Sequence, residues 1–191
     1  ANFQGTPVSL PLDTLGGDAP TATWTAVVDR ALDEARPAVA ARAAEVLQAE
    51  ALREGDLRGA RDLAERIAAA ATDDGPLRAR ALAEAALIAV RQGESETARD
   101  LAEQARNAAG DGPFALHATL AQAQVHEQTD DPRGALDRYL DLIPRLDPDT
   151  QAFQVGQALL GAGRCLPGAT DAPQRLEAFR RARDLGRTLA D

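Results

Sequence analysis

The chain of 191 residues contains no lysine, no methionine, one cysteine and two histidines. Each shortage closes off some chemistry. Without lysine no Walker-type phosphate loop can form, because its lysine is the group that reaches the β- and γ-phosphates. The lone cysteine, Cys165, excludes an intrachain disulfide and leaves the compartment unconstrained. Its place at the end of the apolar run QALLGAGRCL marks it as a buried small hydrophobe in preference to a reactive thiol. The missing methionine extends to an initiator, so a processed or excised chain is expected, which leaves room for an upstream signal or domain. No apolar run approaches the roughly 20 residues that span a bilayer, and a cytoplasmic location is expected. Positive charge is also short: the formal net charge is −9 and the pI about 4.8. A body of that sign repels nucleic acid and anionic membrane surfaces, so neither is expected as a partner. The 21 basic residues are all arginine, which accords first with a GC-rich genome and only second with selection for the forked guanidinium.

Aromatic residues make up 3% of the chain against 45% hydrophobic overall, so the apolar content is mostly alanine and leucine. That composition favours helices, since alanine loses no side-chain entropy there. Alternating strand patterns are never sustained. An all-α fold of about nine helices follows. Residues 1–20, broken by proline, glycine and threonine, read as an extended arm or linker, in part an expression remnant, and residues 21–191 as one helical domain. The first helix is expected after Thr21 or Thr23, with Trp24, Val27, Val28, Ala31 and Leu32 on one face.

Beyond it the punctuation is regular. Glycine-containing breaks, EGD at Glu54–Asp56 and QGES at Gln92–Ser95, alternate with proline-containing breaks, DGP at Asp74–Pro76 and at Asp111–Pro113. The glycines are 38 residues apart and the aspartates of the second marker 37. The hexapeptide ARDLAE occurs at Ala60–Glu65 and again at Ala98–Glu103, with the same spacing. A helix hairpin of 37–38 residues is therefore the repeating unit, with Ala135 opening a third equivalent helix and Arg175 a looser fourth. Ala60, Leu63, Ala64 and Ile67 share a helical face, as do Ala98, Leu101, Ala102 and Ala105. One hairpin cannot bury such a stripe, so hairpins must stack. The charges opposite it, Arg61, Asp62, Glu65 and Arg66, read as a solvated face.

The strings REGDLRGARDLAERI, RQGESETARDLAEQA and TDDPRGALDRYLDLIPRLDP resemble the tetratricopeptide repeat family, over roughly residues 38–189. Gly55 with Ala60 and Gly93 with Ala98 match the family's turn and small position, and Ala135, Tyr139 and Pro148 match the later part of a unit. The period exceeds the family's usual 34, and Gln48, Ala51, Ala86, Ala89, Ala123 and His126 stand where the family's first helix carries glycine and tyrosine. The resemblance implies a right-handed superhelical stack of antiparallel hairpins whose first helices line a concave groove that binds a peptide or protein segment. Aligning the units on Gly55, Gly93 and Asp130 places Arg42, Arg80 and His117 together near the start of that helix, and Arg53, Arg91 and Gln128 near its end. Glu45, Ala49, Ala83, Leu87, Val90, Leu120 and Gln124 lie on the stripe between. Two readings stand side by side: inherited surface charge, or a positive strip that holds a carboxylate-bearing segment by forked hydrogen bonds.

Catalytic patterns are sparse. His117 and His126, nine residues apart on one helix, face opposite ways and cannot share a metal. HEQTD at His126–Asp130 has aspartate where a zinc-protease motif needs its second histidine, so His126 reads as a packed core residue. The acid pairs Asp73–Asp74, Asp130–Asp131 and Asp147/Asp149 read as helix caps. GAG at Gly161–Gly163 reads as a close helix contact, and the last helix, with Leu176, Phe179, Ala182, Gly186 and Leu189 against five arginines, as the cap of the array. No cofactor is called for. The expectation is a non-catalytic interaction module. Its rivals are the sensor or oligomerisation domain of a larger bacterial regulator, a helical enzyme, and, from the alanine stripes, self-association.

Overall fold

Glycine, proline and aspartate break the chain at the expected places. The computed structural model describes residues 21–112, 114–129, 131–147, 151–166, 173, 176–181 and 184. The helices are α1 (Thr21–Asp33), α2 (Pro37–Glu54), α3 (Leu57–Ala70), α4 (Gly75–Arg91), α5 (Ser95–Ala109), α6 (Ala115–Gln128), α7 (Pro132–Leu142) and α8 (Ala152–Cys165). Residues 173, 176–181 and 184 are also helical, and no strand occurs among the described residues. The arm at residues 1–20 lies outside them.

Local chemistry accounts for the boundaries. Gly55 and Gly93 take φ of +80° and +79°, the left-handed conformation that reverses the chain within a hairpin. Asp56, Asp74 and Asp131 accept the backbone N–H three residues on, from Gly59, Leu77 and Gly134, at 2.9–3.0 Å. Each such cap contributes about 1 kcal/mol. Asp73 is exposed and caps nothing, and Asp130 and Asp149 lie outside the described residues. Helices run from 11 to 18 residues, so some fall short of the 15–20 expected. The shortest, α7, gives way to a 3₁₀ turn at Ile143–Arg145, where Pro144 cannot supply the next helical N–H.

The repeated stripe is buried position for position. Ala60, Leu63, Ala64 and Ile67 are between 0% and 8% exposed, and so are Ala98, Leu101, Ala102 and Ala105. The alanine stripes are thus enclosed inside the stack, which removes the feature that suggested self-association. Consecutive helices pack against one another, and α4, α6 and α8 also lie side by side. Helix α6 serves two cores: Ala118, Ala121 and Val125 join the one built on α1–α5, and Leu120 and Ala123 the one built on α7 and α8. Each hairpin therefore contacts its neighbours and little else, as a solenoid requires.

The arginine of ARDLAE corrects the solvated-face expectation. Arg61 reaches from α3 to the turn of the following hairpin, where Nη1 donates to Gln92 Oε1 and Glu94 Oε2, both at 2.6 Å. Its Nε lies 3.2 Å from Glu65 but without hydrogen-bond geometry. Arg99, its equivalent, reaches the next turn and donates to Thr129 Oγ1 at 3.1 Å and to the Thr129 carbonyl. Arg66 bridges to Asp29 of α1 at 2.6 Å. These charges join hairpins across the spaces between α1, α3, α5 and α7.

Tyr139 is fully buried, and the space for it comes from Gly161: a Cβ there would collide with the tyrosine ring. A Cβ on Gly163 would lie 2.8 Å from the Phe179 ring. The GAG string is a close helix contact, as its composition suggested. Leu176, assigned by its spacing to the packed face of the last helix, is instead 48% exposed. Gly156, on the same α8, has open space where its Cβ would be. Gly156→Ala is therefore expected to stabilise the fold by about 0.5–1 kcal/mol, and Gly161→Ala to destabilise it by about 1–3 kcal/mol through overpacking. Thermal denaturation followed by circular dichroism checks the opposite signs; shifts of the same sign would contradict this packing.

Candidate functional site

Helix α4 runs along α6, whereas α2 and α4 stand apart. The gap is a slot of about 340 Å³. Its walls are Ala49 and Leu52 of α2 with Leu87 and Ile88 of α4. Both helices begin at capped or proline-led turns and run in the same direction, so their lining residues fall in matched order. Glu45 and Glu84 lie toward the start, Gln48 between, and Arg91 at the end of α4.

Arg80 crosses the start of this slot. It donates to Glu45 on α2 at 2.8 Å and to Glu84 on its own helix at 3.1 Å. Burial works against its charge, but Glu84 and Glu45 outweigh that and hold its pKa above the ordinary value. The strip expected at Arg42, Arg80 and His117 is thus not a run of free positive charge, because Arg80 is already balanced. His117 lies in the same neighbourhood, with its ring edge-on to Phe114 at a centroid distance of 6.3 Å. Part of its surface meets solvent, yet desolvation by its surroundings lowers its pKa, Glu84 offsetting and Arg80 adding to the effect.

The remaining expected residues separate. Arg42 is exposed, and among the described residues neither it nor Arg91 makes an ion pair. Arg53 is exposed and lies 3.7 Å from Glu50. Leu87 and Arg91 line the slot with Glu45 and Ala49. Ala83 and Leu120, placed on the groove stripe by alignment, are buried in the core instead. Gln124 meets Gln157 of α8 at 3.5 Å, one helix further along. Sequence reasoning missed Gln48, Leu52, Glu84 and Ile88. Glu84 had a signal: it lies four residues after Arg80, the spacing at which helical ion pairs meet.

Other reactive groups are held in quiet settings. Tyr139 donates to Glu127 at 2.7 Å, and Arg164 holds the same carboxylate, at 3.0 Å through Nη2 and also through Nε. Burial and the Glu127 carboxylate push the Tyr139 hydroxyl far above its usual range. Burial, with Glu127 again, pushes the Cys165 thiol up to about 11, which keeps it protonated and a poor nucleophile. His126 pairs through Nδ1 with Asp131 at 2.8 Å, so it braces the α6–α7 turn. Among the described residues no three His, Cys, Asp or Glu side chains are placed to hold a metal ion, and no helix is long and apolar enough to cross a membrane.

A second groove, of about 640 Å³, lies between α7, α8 and the helical residues beyond. Leu136, Leu140, Ile143, Leu159 and Leu166 line it, with Glu177 and Arg181 at its edge. Leu140 is 56% exposed, and the other exposed large hydrophobic residues among those described, Phe153, Leu160 and Leu176, lie in the same C-terminal part.

No protein-family model matches the chain, and no curated protein matches it. Solved structures share its fold. The crystal structure of BtubC (BKLC) from P. vanneervenii superposes with a TM-score of 0.73 at 18% identity, over 91% of this chain and 75% of that one. A putative kinesin light chain from Podosopora anserina with nearly identical TPR-like repeats, in the crystal structure of a single-site variant, superposes with a TM-score of 0.59 at 12% identity, over 89% of this chain and 96% of that one. The chain has a tetratricopeptide-like helical repeat fold, as its turn and small-residue pattern implied.

With only two histidines present, His117 can be followed directly. Proton NMR is expected to show it titrating below the ordinary 6.5. As pH falls, the unfolded chain takes up this proton first. The folded state therefore keeps the full contribution above 6.5 and loses stability between 6.5 and the lower folded value. His117→Gln should flatten that step in urea titrations; an unchanged step would assign it elsewhere.

Proposed function

We propose that the chain is a non-catalytic interaction module that holds a protein segment along its first helices, in the slot between α2 and α4. The observation that carries this is the parting of α2 from α4 around Ala49, Leu52, Leu87 and Ile88, with Arg91 at the end uncommitted among the described residues. An open apolar channel with a guanidinium at its end suits a segment that offers an aliphatic or aromatic side chain and, next to it, a carboxylate. Arg42 and Arg53 add positive charge on α2, Arg80 crosses the start of the slot with His117 near it, and Gln124, against Gln157 of α8, lies away from it. The high pKa of Cys165 and the structural pairing of His126 support a non-catalytic role. Helical repeat stacks of this kind present extended surfaces to partners.

The test is capture of partners from a native lysate by the wild-type chain and by Leu87→Asp and Arg91→Glu variants, with fluorescence titration of whatever the wild type retains. Both variants alter partly exposed positions and should melt within a few degrees of wild type. Each is expected to weaken the captured partner at least tenfold, about 1.4 kcal/mol. Undiminished affinity in both variants would remove the slot from the binding surface. If instead Leu140→Glu alone abolished capture, the C-terminal groove would be the site.

A further inference from the structure

The arginine latches repeat in register, and at the N-terminal end the register is broken. Three spaces between successive second helices can be compared. Between α3 and α5 the space holds Arg61, which donates to Gln92 and Glu94 on either side of Gly93. Between α5 and α7 the equivalent Arg99 donates to Thr129, the position that corresponds to Gln92. Between α1 and α3 the corresponding acceptors, flanking Gly55, are Glu54 and Asp56. Superposing the buried stripe of α1 (Trp24, Val28, Ala31) on that of α3 (Ala60, Ala64, Ile67) puts Thr25 where the arginine should stand. Thr25 cannot take its place: its hydroxyl donates to the Thr21 carbonyl of its own helix at 3.0 Å.

The space is open, with a volume of about 420 Å³; Thr21, Thr25, Glu50, Glu54, Asp56, Asp62 and Arg66 line it above an apolar floor of Leu47 and Leu63. Arg66, itself part of this lining, is paired with Asp29 of α1, and Arg53 lies 3.7 Å from Glu50. Asp56 gives one oxygen to the Gly59 N–H as a helix cap, and among the described residues Glu54 and Asp62 have no polar partner. Two carboxylates thus stand where the next turn offers an amide and a carboxylate to a guanidinium. The acceptors are more negative than those that already hold arginine, and the arginine of the Arg61 position is missing; Arg66, the guanidinium at the crevice, is turned to Asp29.

We infer that this crevice is a docking site for an arginine supplied by a partner protein, with an adjacent aliphatic side chain resting on Leu47 and Leu63. Recognition is by the forked guanidinium, which can meet Glu54 and Asp56 together as Arg61 meets Gln92 and Glu94. Lysine offers a point charge and should bind less well. The site is separate from the slot between α2 and α4, so either can fail without the other.

Thr25→Arg tests the vacancy without a partner. The substituted side chain is expected to form the missing latch and raise the melting temperature by about 2–4 °C, and a further Glu54→Gln/Asp56→Asn change to cancel the gain. The probe for binding is a fluorescein-labelled peptide, Leu-Ala-Arg-Leu-Ala, compared with the same peptide carrying the uncharged isostere citrulline. Wild type should bind the arginine peptide at least tenfold more tightly than the citrulline peptide, with affinity falling as salt rises. Thr25→Arg and Glu54→Gln/Asp56→Asn should both lose that preference, while Leu87→Asp keeps it. No rise in melting temperature, equal affinity for the two peptides, or undiminished binding by Thr25→Arg would overturn the inference. Concentration-dependent dimers in sedimentation that Thr25→Arg abolishes would make a second copy the occupant and overturn the assignment to a foreign partner.

Discussion

A helix faced with alanine buries little apolar area of its own, and that constraint governs the rest of the molecule. Hydrophobic stabilisation scales with area removed from water, at about 25 cal/mol per Å². A stripe of Ala60, Leu63, Ala64 and Ile67 can contribute enough only when helices approach closely and the same stripe is covered by the next hairpin. Small side chains permit that approach, and Tyr139 fits only because Gly161 lacks a side chain. The spaces left between successive second helices are then too wide for alanine to fill. Arginine spans them. Its long stem covers apolar surface and its fork reaches two acceptors, which explains why Arg61 and Arg99 join neighbouring hairpins and are not simply a charged exterior.

The architecture was legible in the sequence because its signals are local. Glycine at 55 and 93 answers a backbone need that other residues meet poorly, and aspartate at 56, 74 and 131 answers the unpaired N–H groups of a helix start. Both needs are set within a few residues, so composition and spacing reveal them. The stripe of the second helices was legible for the same reason, since a 3.6-residue period shows which side is apolar.

The interaction surface was only partly legible because it depends on distances between units. Alignment treats equivalent positions as equally exposed, yet α2 stands away from α4 while α4 and α6 pack closely. Leu87 and Ala49 therefore line a slot, while Ala83 and Leu120, on the same stripe, are enclosed. Charge misleads in a related way. Arg80 reads as one member of a positive row, but its acid partners lie one turn along its own helix and on the neighbouring one. Arg61 reads as solvated because its acceptors, Gln92 and Glu94, come close only when the next hairpin is stacked.

The same register that makes the array regular also makes its two ends chemically different. The position held by Arg61 and Arg99 is Thr25 at one end and Leu136 at the other. In the middle the chain closes its own crevices with a guanidinium. At the N-terminal end the loss of that side chain leaves Glu54, Asp56 and Asp62 facing an open space, with Arg66 at its border turned to Asp29. At the C-terminal end the substitution of leucine turns the equivalent crevice apolar, continuous with Leu140 and Ile143. A net charge of −9 spread over the whole chain says nothing of this division. It arises because one position per repeat decides whether a crevice is filled, acidic or greasy, while the stripe that holds the hairpins together, from Trp24 and Val28 to Tyr139 and Leu142, stays buried. Binding chemistry can therefore vary along such a stack without disturbing the packing on which its stability rests.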